Sequence, residues 1–184
     1  MYPNAIVSSN KFHSIMHSSG LVILSSILIG LFGQIAIPLP FTPVPIATQG
    51  SIILLLSCLL GPKKAFGAVV GFLAQGAAGL PVFAGGVGGL ACFAGPTGGY
   101  LLGYLAGAVL TGYLFQQMQN KSPMRLFALI CAGNALFFVF GVPYLATFIG
   151  LQKALVLGVL PFLLGDVLKA IVCVKILQWI GFGK

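Results

Sequence analysis

The sequence predicts an all-α integral membrane protein with six transmembrane helices and structured extracytoplasmic loops. Of the 184 residues, 59% are hydrophobic and only 5% are charged, whereas a typical soluble domain is about a quarter charged. The mean hydropathy of +1.11 leaves too little polar surface to cover a water-soluble globule. The apolar runs are continuous and lack the alternation over about ten residues that marks membrane β-strands. Because lipid requires every backbone polar group to be satisfied internally, helices are favoured.

The six helices are expected at the longest apolar runs. Proline lacks an amide donor and blocks helix continuation, and the stretch PLPFTPVP, with four prolines, ends the first helix. The motifs GPKK, QNKSP and GVP end the second, fourth and fifth helices. The expected helices cover residues 20–37, 48–60, 65–78, 97–118, 125–140 and 154–180. Residues 1–184 are thus expected to form one transmembrane domain, in which residues 1–19 are a cytoplasmic N-terminal segment.

The basic residues predict the orientation of these helices. Cytoplasmic loops of membrane proteins carry an excess of lysine and arginine. With the N-terminus inside, the outer loops hold only Lys153. The inner loops then hold Lys11, Lys63, Lys64, Lys121, Arg125 and Lys184. Both termini are therefore expected in the cytoplasm, and the protein in the cytoplasmic membrane.

The three predicted outer links differ in composition from the short, basic inner links. They read PLPFTPVPIATQ, GLPVFAGGVGGLACFAGPTGG and GVPYLATFIGLQ, and they are nearly uncharged and rich in glycine, proline and aromatic residues. Irregular backbone at membrane depth is tolerated only where protein or a cavity surrounds it. The outer face is therefore the expected binding face.

Asp166 is the only acidic residue of the chain, and it precedes Lys169 by three residues in an apolar run. Residues at i and i+3 share a helix face. Each charge at the centre of a membrane helix costs about 2.5–3.5 kcal/mol, and an apolar pair would fix helix packing at lower cost. We interpret the pair as a binding site for a polar solute, with a purely structural ion pair as the alternative.

The chemistry of this pair indicates the kind of solute. A carboxylate that accepts and an ammonium that donates suit a group with both N–H donors and a carbonyl, such as a urea or amide. Aromatic residues of the outer links suit a hydrophobic body, although loop packing or an interfacial belt is the better explanation for any single one. These candidates are Phe41, Phe83, Phe93, Tyr100 and Tyr144.

Several other functions have little support. The basic residues are scattered without interleaved aromatics, which argues against nucleic-acid binding. His13 and His17 have the spacing of a metal pair, but no third ligand is nearby, and a solvated turn is expected there instead. No P-loop motif occurs. One acid and no nucleophile–base–orienter set argue against an enzyme, so no catalytic residue, metal or cofactor is expected.

Small residues indicate two places where backbone segments or helices can pack closely. The glycines of AGGVGG and GPTGG permit positive φ or a close backbone contact. In the first helix, Ser26 and Gly30 lie four residues apart, which places two small residues on one face. Such faces let helices approach closely. This face either packs within the chain or docks a partner membrane protein, and the two alternatives stay open.

Five motifs in order, FTPVPIATQ, GPKKA, GLPVFAGG, GPTGGYLLGY and GDVLK, resemble the BioY family, the biotin-binding S-components of energy-coupling factor (ECF) vitamin transporters. The resemblance spans about residues 41–169. It implies high-affinity biotin capture in an outward pocket, with the D-x-x-K pair at the ureido ring. It also implies that two outer loops line or cover the pocket. The candidate biotin-binding residues are Asp166, Lys169, Thr48, Gln49, Phe83, Thr97, Gly98, Gly99, Tyr100 and Tyr144.

The same resemblance implies partners. An ECF transmembrane coupling protein and two ATPase subunits would drive transport, so that ATP is used only on the partners. The resemblance implies an arginine of the central loop at the biotin carboxylate, and this chain has no arginine there. Backbone amides, hydroxyls or Lys153 are then expected to meet the carboxylate. The alternatives are an autonomous secondary transporter with Asp166 as its ion-coupling site and a scaffold that binds no solute.

Overall fold

In a computed structural model of the chain, the structure describes residues 4–182, with side chains from Ser18 onward. Within that range the chain forms six long helices, one short helix and a two-stranded antiparallel sheet. In chain order the elements are α1 (Asn4–Gly33), β1 (Ala36–Ile37), β2 (Ile46–Ala47), α2 (Gln49–Leu60), α3 (Pro62–Ala77), α4 (Ala91–Ala94), α5 (Gly98–Gln117), α6 (Pro123–Ile149) and α7 (Leu151–Trp179).

Three of the described helices, α5, α6 and α7, are long and apolar enough to cross a membrane. The segment Ser18–Gly33 and helix α2 are shorter apolar helices. The outer face of α7 is covered with exposed large hydrophobic side chains, as a lipid-facing surface requires. They include Leu163, Leu164, Val167, Leu168, Ile171 and Val172.

The turns of the bundle gather at two opposite ends. Gly112 of α5 lies against Pro62 at the start of α3, and the Phe115 ring meets the ring of Phe182, just beyond α7, at 5.2 Å. The α2–α3 turn and the ends of α5 and α7 therefore share one end, which we call the basic end. Four of the predicted inner cations lie in its turns or flanking helical turns: Lys63, Lys64, Lys121 and Arg125.

The opposite end, which we call the loop end, carries the glycine- and proline-rich connections. β1 pairs with β2 through Ala36–Ala47 and Ile37–Ile46, and residues 38–45 form the loop between them. The second connection, residues 78–97, contains α4 and a bridge between Phe83 and Val87. These two connections coincide with two of the three predicted outer links and have little regular structure.

Helices α5 and α6 pack closely because glycine replaces larger side chains along their contact. A Cβ on Gly103 would lie only 2.9 Å from the Cα of Phe137. Across this contact the Tyr104 ring meets the Phe137 ring edge-on at 4.9 Å between centroids. The contact places Tyr104 and Phe137 together on the inner side of the bundle.

The prediction for the first helix was wrong at both ends. Instead of residues 20–37, α1 covers Asn4–Gly33, and residues 36–37 are in β1. The backbone of His13 and His17 is therefore helical, not a turn, and their side chains lie outside the described residues. The side chains of Lys11 and Lys184 also lie outside the described residues, so the structure does not test their predicted positions in the inner loops.

The third predicted outer link was also wrong. Helix α6 does not end at residue 140 but continues through Pro143 to Ile149, and α7 begins at Leu151. A proline in a helix interior costs about 3 kcal/mol, but the segment after it is held by fully buried Leu145. Only Gly150, with φ of +81°, separates the two helices. The expected loop at this position is therefore a single glycine.

Candidate binding site

A cavity of about 620 Å³ lies inside the loop end of the bundle. Both loop-end connections and the helices α2, α5, α6 and α7 contribute to its wall. The cavity is within the range of about 300–1,000 Å³ that is usual for small-molecule sites. Six of the predicted site residues line it: Gln49, Phe83, Thr97, Tyr100, Asp166 and Lys169.

The ion pair of α7 forms part of the cavity wall. The Lys169 ammonium lies 2.6 Å from the Asp166 carboxylate, and the two side chains are 22% and 16% exposed. Lys169 also donates a hydrogen bond to the Ala47 carbonyl of β2 at 3.1 Å. This contact links α7 to the strand that precedes α2. Asp166 accepts from Lys169 but retains further acceptor capacity toward the cavity, since a carboxylate offers about four lone-pair sites.

Aromatic rings form much of the remaining wall. Phe83 is 3% exposed and stands edge-on to the rings of Phe72, at 5.4 Å, and Phe93, at 5.6 Å. Tyr100 donates its hydroxyl hydrogen to the Gly158 carbonyl at 3.0 Å, so its ring rather than its hydroxyl is available to a ligand. Phe83 and Tyr100 therefore offer apolar surface to the cavity.

Thr48 and Gln49 hold the loop end together. The Thr48 hydroxyl donates to the Phe32 carbonyl at 2.8 Å, and Thr48 is not part of the cavity wall. The Gln49 amide nitrogen donates to the Val82 carbonyl at 2.7 Å, while its carbonyl oxygen has no partner among the described residues. Both side chains therefore fasten α2 to neighbouring segments, and only Gln49 also borders the cavity.

Gly98, Gly99 and Tyr144 lie behind the cavity wall and do not line it. Both glycines are helical residues without positive φ. A Cβ on Gly98 would collide with the Phe93 carbonyl, and one on Gly99 would lie 2.5 Å from the Phe140 carbonyl. Their function in the structure is close packing, so the positive-φ explanation was wrong for them.

Tyr144 connects α6 to the segment around α4. Its hydroxyl donates to the Phe93 carbonyl at 3.0 Å, 51 residues away in sequence. Tyr144 lies outside the cavity wall, and so do Phe41, Phe93 and Lys153. Among described residues, Lys169 is the cation that the cavity wall contains.

The small face of α1 packs within the chain, which favours the first of the two alternatives for Ser26 and Gly30. Ser26 is 2% exposed, and its hydroxyl accepts a hydrogen bond from Gln75 of α3 at 2.8 Å. A Cβ on Gly30 would lie 3.0 Å from Val82. The space beside Ser26 and Gly30 is therefore occupied by α3 and by the loop that follows it.

Sequence analysis missed three polar residues at the inner end of the cavity: Ser51 of α2, Tyr104 of α5 and Asn134 of α6. Asn134 is 7% exposed and makes no side-chain hydrogen bond with the described part of the chain. An asparagine in the apolar run LICAGNALFFV was the available signal, because a polar side chain inside a membrane helix is expected to face the interior. Ser51 gives no comparable signal, since it lies next to the predicted loop.

The described residues contain no group of three or more histidine, cysteine, aspartate or glutamate side chains that could hold a metal ion. The cavity offers an ion pair, neutral polar side chains and aromatic rings. Such a set can bind a small molecule with a hydrogen-bonding head and an apolar body. The apolar helices and this cavity together define a helical membrane protein with an internal site of solute size.

Comparison with known proteins identifies the family. The sequence profile of the BioY family matches residues 8–181, and the chain belongs to this family. The biotin transporter BioY of Rhizobium etli is 39% identical over 159 residues, which cover 82% of this chain and 84% of the relative. The biotin transporter BioY of Thermotoga maritima is 35% identical over 141 residues, which cover 76% of this chain and 82% of the relative.

A solved structure has the same fold. The crystal structure of the S-component for biotin from an ECF-type ABC transporter superposes with a TM-score of 0.81 at 32% identity, over 91% of this chain and 92% of that one. The resemblance inferred from five motifs is thereby confirmed at the level of the family. The names of the relatives describe transporters, in agreement with the expectation that the chain is not an enzyme.

Proposed function

We propose that this protein binds biotin in the loop-end cavity and takes it up across the cytoplasmic membrane as the S-component of an ECF-type transporter. The observation that carries the proposal is the Asp166–Lys169 pair on the wall of a cavity of about 620 Å³. The relatives named as biotin transporters and the S-component with the same fold support the assignment of the ligand.

The chemistry of biotin matches the cavity. Its fused rings carry a cyclic urea with two N–H donors and a carbonyl, and its valerate chain ends in a carboxylate. The Asp166 carboxylate accepts from urea N–H groups, and the Lys169 ammonium donates to a carbonyl. The rings of Phe83 and Tyr100 provide apolar surface for the sulfur-containing ring and the chain. No cofactor is needed for this binding.

The proposed arrangement in the membrane has six crossings, made by α1, α2, α3, α5, α6 and α7. The basic end then faces the cytoplasm, because lysine and arginine accumulate on that side, and both chain termini lie there. The cavity at the loop end faces outward. Two ATPase subunits and a transmembrane coupling protein supply the driving force, since this chain carries no P-loop motif.

Equilibrium binding of biotin to the purified chain in detergent, measured by isothermal titration calorimetry, tests the proposal. We expect saturable binding of one biotin per chain, which Lys169→Ala weakens at least tenfold. Lys175→Ala is the matched control, because Lys175 lies on the same helix, is exposed and is outside the cavity wall. Equal losses in both variants, or no binding by the natural chain, would refute the assignment of the site or of the ligand.

Uptake into vesicles tests the assignment as an S-component. Vesicles that contain this chain together with the coupling protein and ATPase subunits should accumulate biotin only with internal ATP hydrolysis. Accumulation by the chain alone, driven by a proton or sodium gradient and abolished by Asp166→Asn, would instead establish an autonomous secondary transporter.

A further inference from the structure

Two polar side chains at the inner end of the cavity, Ser51 and Asn134, have no hydrogen-bond partner among the described residues. The Ser51 hydroxyl is buried and has no hydrogen-bond partner among the described residues. Asn134 is 7% exposed and makes no side-chain hydrogen bond with them either, and both residues line the cavity. Buried polar groups are normally hydrogen-bonded, so these two require an explanation.

The local structure explains why the Ser51 hydroxyl has no hydrogen-bond partner in its own helix. A serine in a helix commonly donates to the carbonyl four residues earlier, as Ser57 of the same helix does to Ile53 at 2.6 Å. For Ser51 the residue four positions earlier is Ala47, which lies in β2 before the start of α2, so its carbonyl is not part of the helix. The Ala47 carbonyl accepts a hydrogen bond from Lys169. Ser51 thus lies in the first turn of α2 without a helical carbonyl behind it, and its hydroxyl has no partner among the described residues.

Helix geometry places the free groups at one depth. At a rise of about 1.5 Å per residue, Asn134 lies about 16 Å along α6 from its start at the basic end. Ser51 lies about 14 Å before the end of α2, and Lys169 about 15 Å before the end of α7, at that same end. The two neutral groups and the ion pair thus form one polar layer.

We propose that Asn134 and Ser51 are recognition residues for the urea head of the ligand, and this inference rests on the proposed function. An asparagine side chain both donates and accepts, and so does a serine hydroxyl. A cyclic urea presents the complementary N–H groups and carbonyl. A carboxylate only accepts, and beside Asp166 it would meet a like charge. The layer therefore selects a neutral hydrogen-bonding head over the anionic end of the same molecule.

Biotin binding by the full chain in detergent tests this inference with two variants and two controls. We expect Asn134→Leu to weaken biotin binding about tenfold or more, and Ser51→Ala about threefold, since each removes hydrogen bonds that only the ligand satisfies. Thr111→Val is the control for Asn134, because the Thr111 hydroxyl is also buried and unpartnered among the described residues but lies outside the cavity wall. Ser57→Ala is the control for Ser51 on the same helix. Both controls should bind biotin like the natural chain.

Biotin methyl ester separates head recognition from tail recognition. Because the ester keeps the urea and loses the charge, Asn134→Leu should weaken biotin and the ester by the same factor. A loss confined to biotin would place Asn134 at the carboxylate and overturn the inference, as would unchanged binding in both variants. If Asn134→Leu lowers the melting temperature, biotin binding is also measured for Asn134→Ala. An equal loss of biotin affinity in Thr111→Val would show a structural effect and would also overturn the inference. Absence of biotin binding by the natural chain would instead refute the proposed function itself.

Discussion

The polar side chains around the cavity differ between its two ends. At the loop end they bond to the protein's own backbone: the Gln34 amide donates to the Pro81 carbonyl, Gln49 to Val82 and Thr48 to Phe32. At the inner end the hydroxyl of Ser51 and the amide of Asn134 have no partner among the described residues. The loop end thus uses its side-chain hydrogen bonds mainly for structure, with the unpartnered carbonyl oxygen of Gln49 as an exception, whereas the inner end leaves Ser51 and Asn134 available to a ligand.

This difference has a physical origin. The loop-end connections contain irregular backbone, whose carbonyls would be left unpaired unless side chains bonded to them. The inner end is built from helices, whose backbone groups are already satisfied within each helix. Substitutions at the loop end are therefore expected to change stability and ligand affinity together, whereas substitutions at the inner end are expected to change affinity alone.

The largest expected effect at the loop end is that of Gly99→Val. The new side chain would collide with Tyr144 and the Phe140 carbonyl, and overpacking of this kind typically costs about 1–3 kcal/mol. We expect a lower melting temperature in detergent and a parallel loss of biotin binding. Gly165→Ala on α7 is the control, because a Cβ there meets nothing within 4 Å. A stable Gly99→Val variant would contradict the close packing of α5 on α6.

Gly30→Leu tests whether the small face of α1 is internal. The leucine would displace Val82, whose carbonyl accepts the hydrogen bond of Gln49. We therefore expect lower thermal stability and weaker biotin binding, measured on the same preparation. Gly20→Leu is the control, since a Cβ at Gly20 meets nothing within 4 Å. Normal stability and binding combined with lost transport would show that Gly30 contacts a partner after all.

Tyr144→Phe should have the smallest effect. The change removes only the hydrogen bond to the Phe93 carbonyl, which is worth about 0.5–1.5 kcal/mol. A modest decrease in thermal stability is expected, with biotin affinity within about twofold of the natural chain. Tyr113→Phe, at a tyrosine that is 52% exposed, should change neither. A tenfold loss of affinity in Tyr144→Phe at unchanged stability would place Tyr144 in direct contact with the ligand.

The predicted residue with the strongest local signal is the one that differs most from the composition around it. Asp166 is the single acid of an apolar chain, and its pairing with Lys169 follows from helical spacing alone. The resemblance of five motifs to the BioY family identified the family from the sequence. The continuation of α6 through Pro143 could not be predicted, because it depends on tertiary packing of the residues that follow, such as Leu145.

The functions of other residues depend on partners distant in the chain. Tyr144 bonds to Phe93 and Gln49 to Val82, and neither partner is visible in a local pattern. Asn134 lay in an apolar run and gave the same kind of signal as Asp166, but a weaker one, since a neutral amide costs less to bury than a charge. Its place in the cavity wall became apparent only from the fold.

The central claim, that the inner polar layer binds the ligand, is tested most directly by Asp166→Asn. The biotin dissociation constant and the melting temperature are measured on the same preparation in detergent. A hydrogen bond to a charged group contributes about 1.5–3 kcal/mol, and about 1.4 kcal/mol corresponds to a factor of ten. The proposed function predicts an affinity at least tenfold weaker in a protein that still folds. Natural affinity in a folded Asp166→Asn variant would contradict it and show that the ion pair is purely structural.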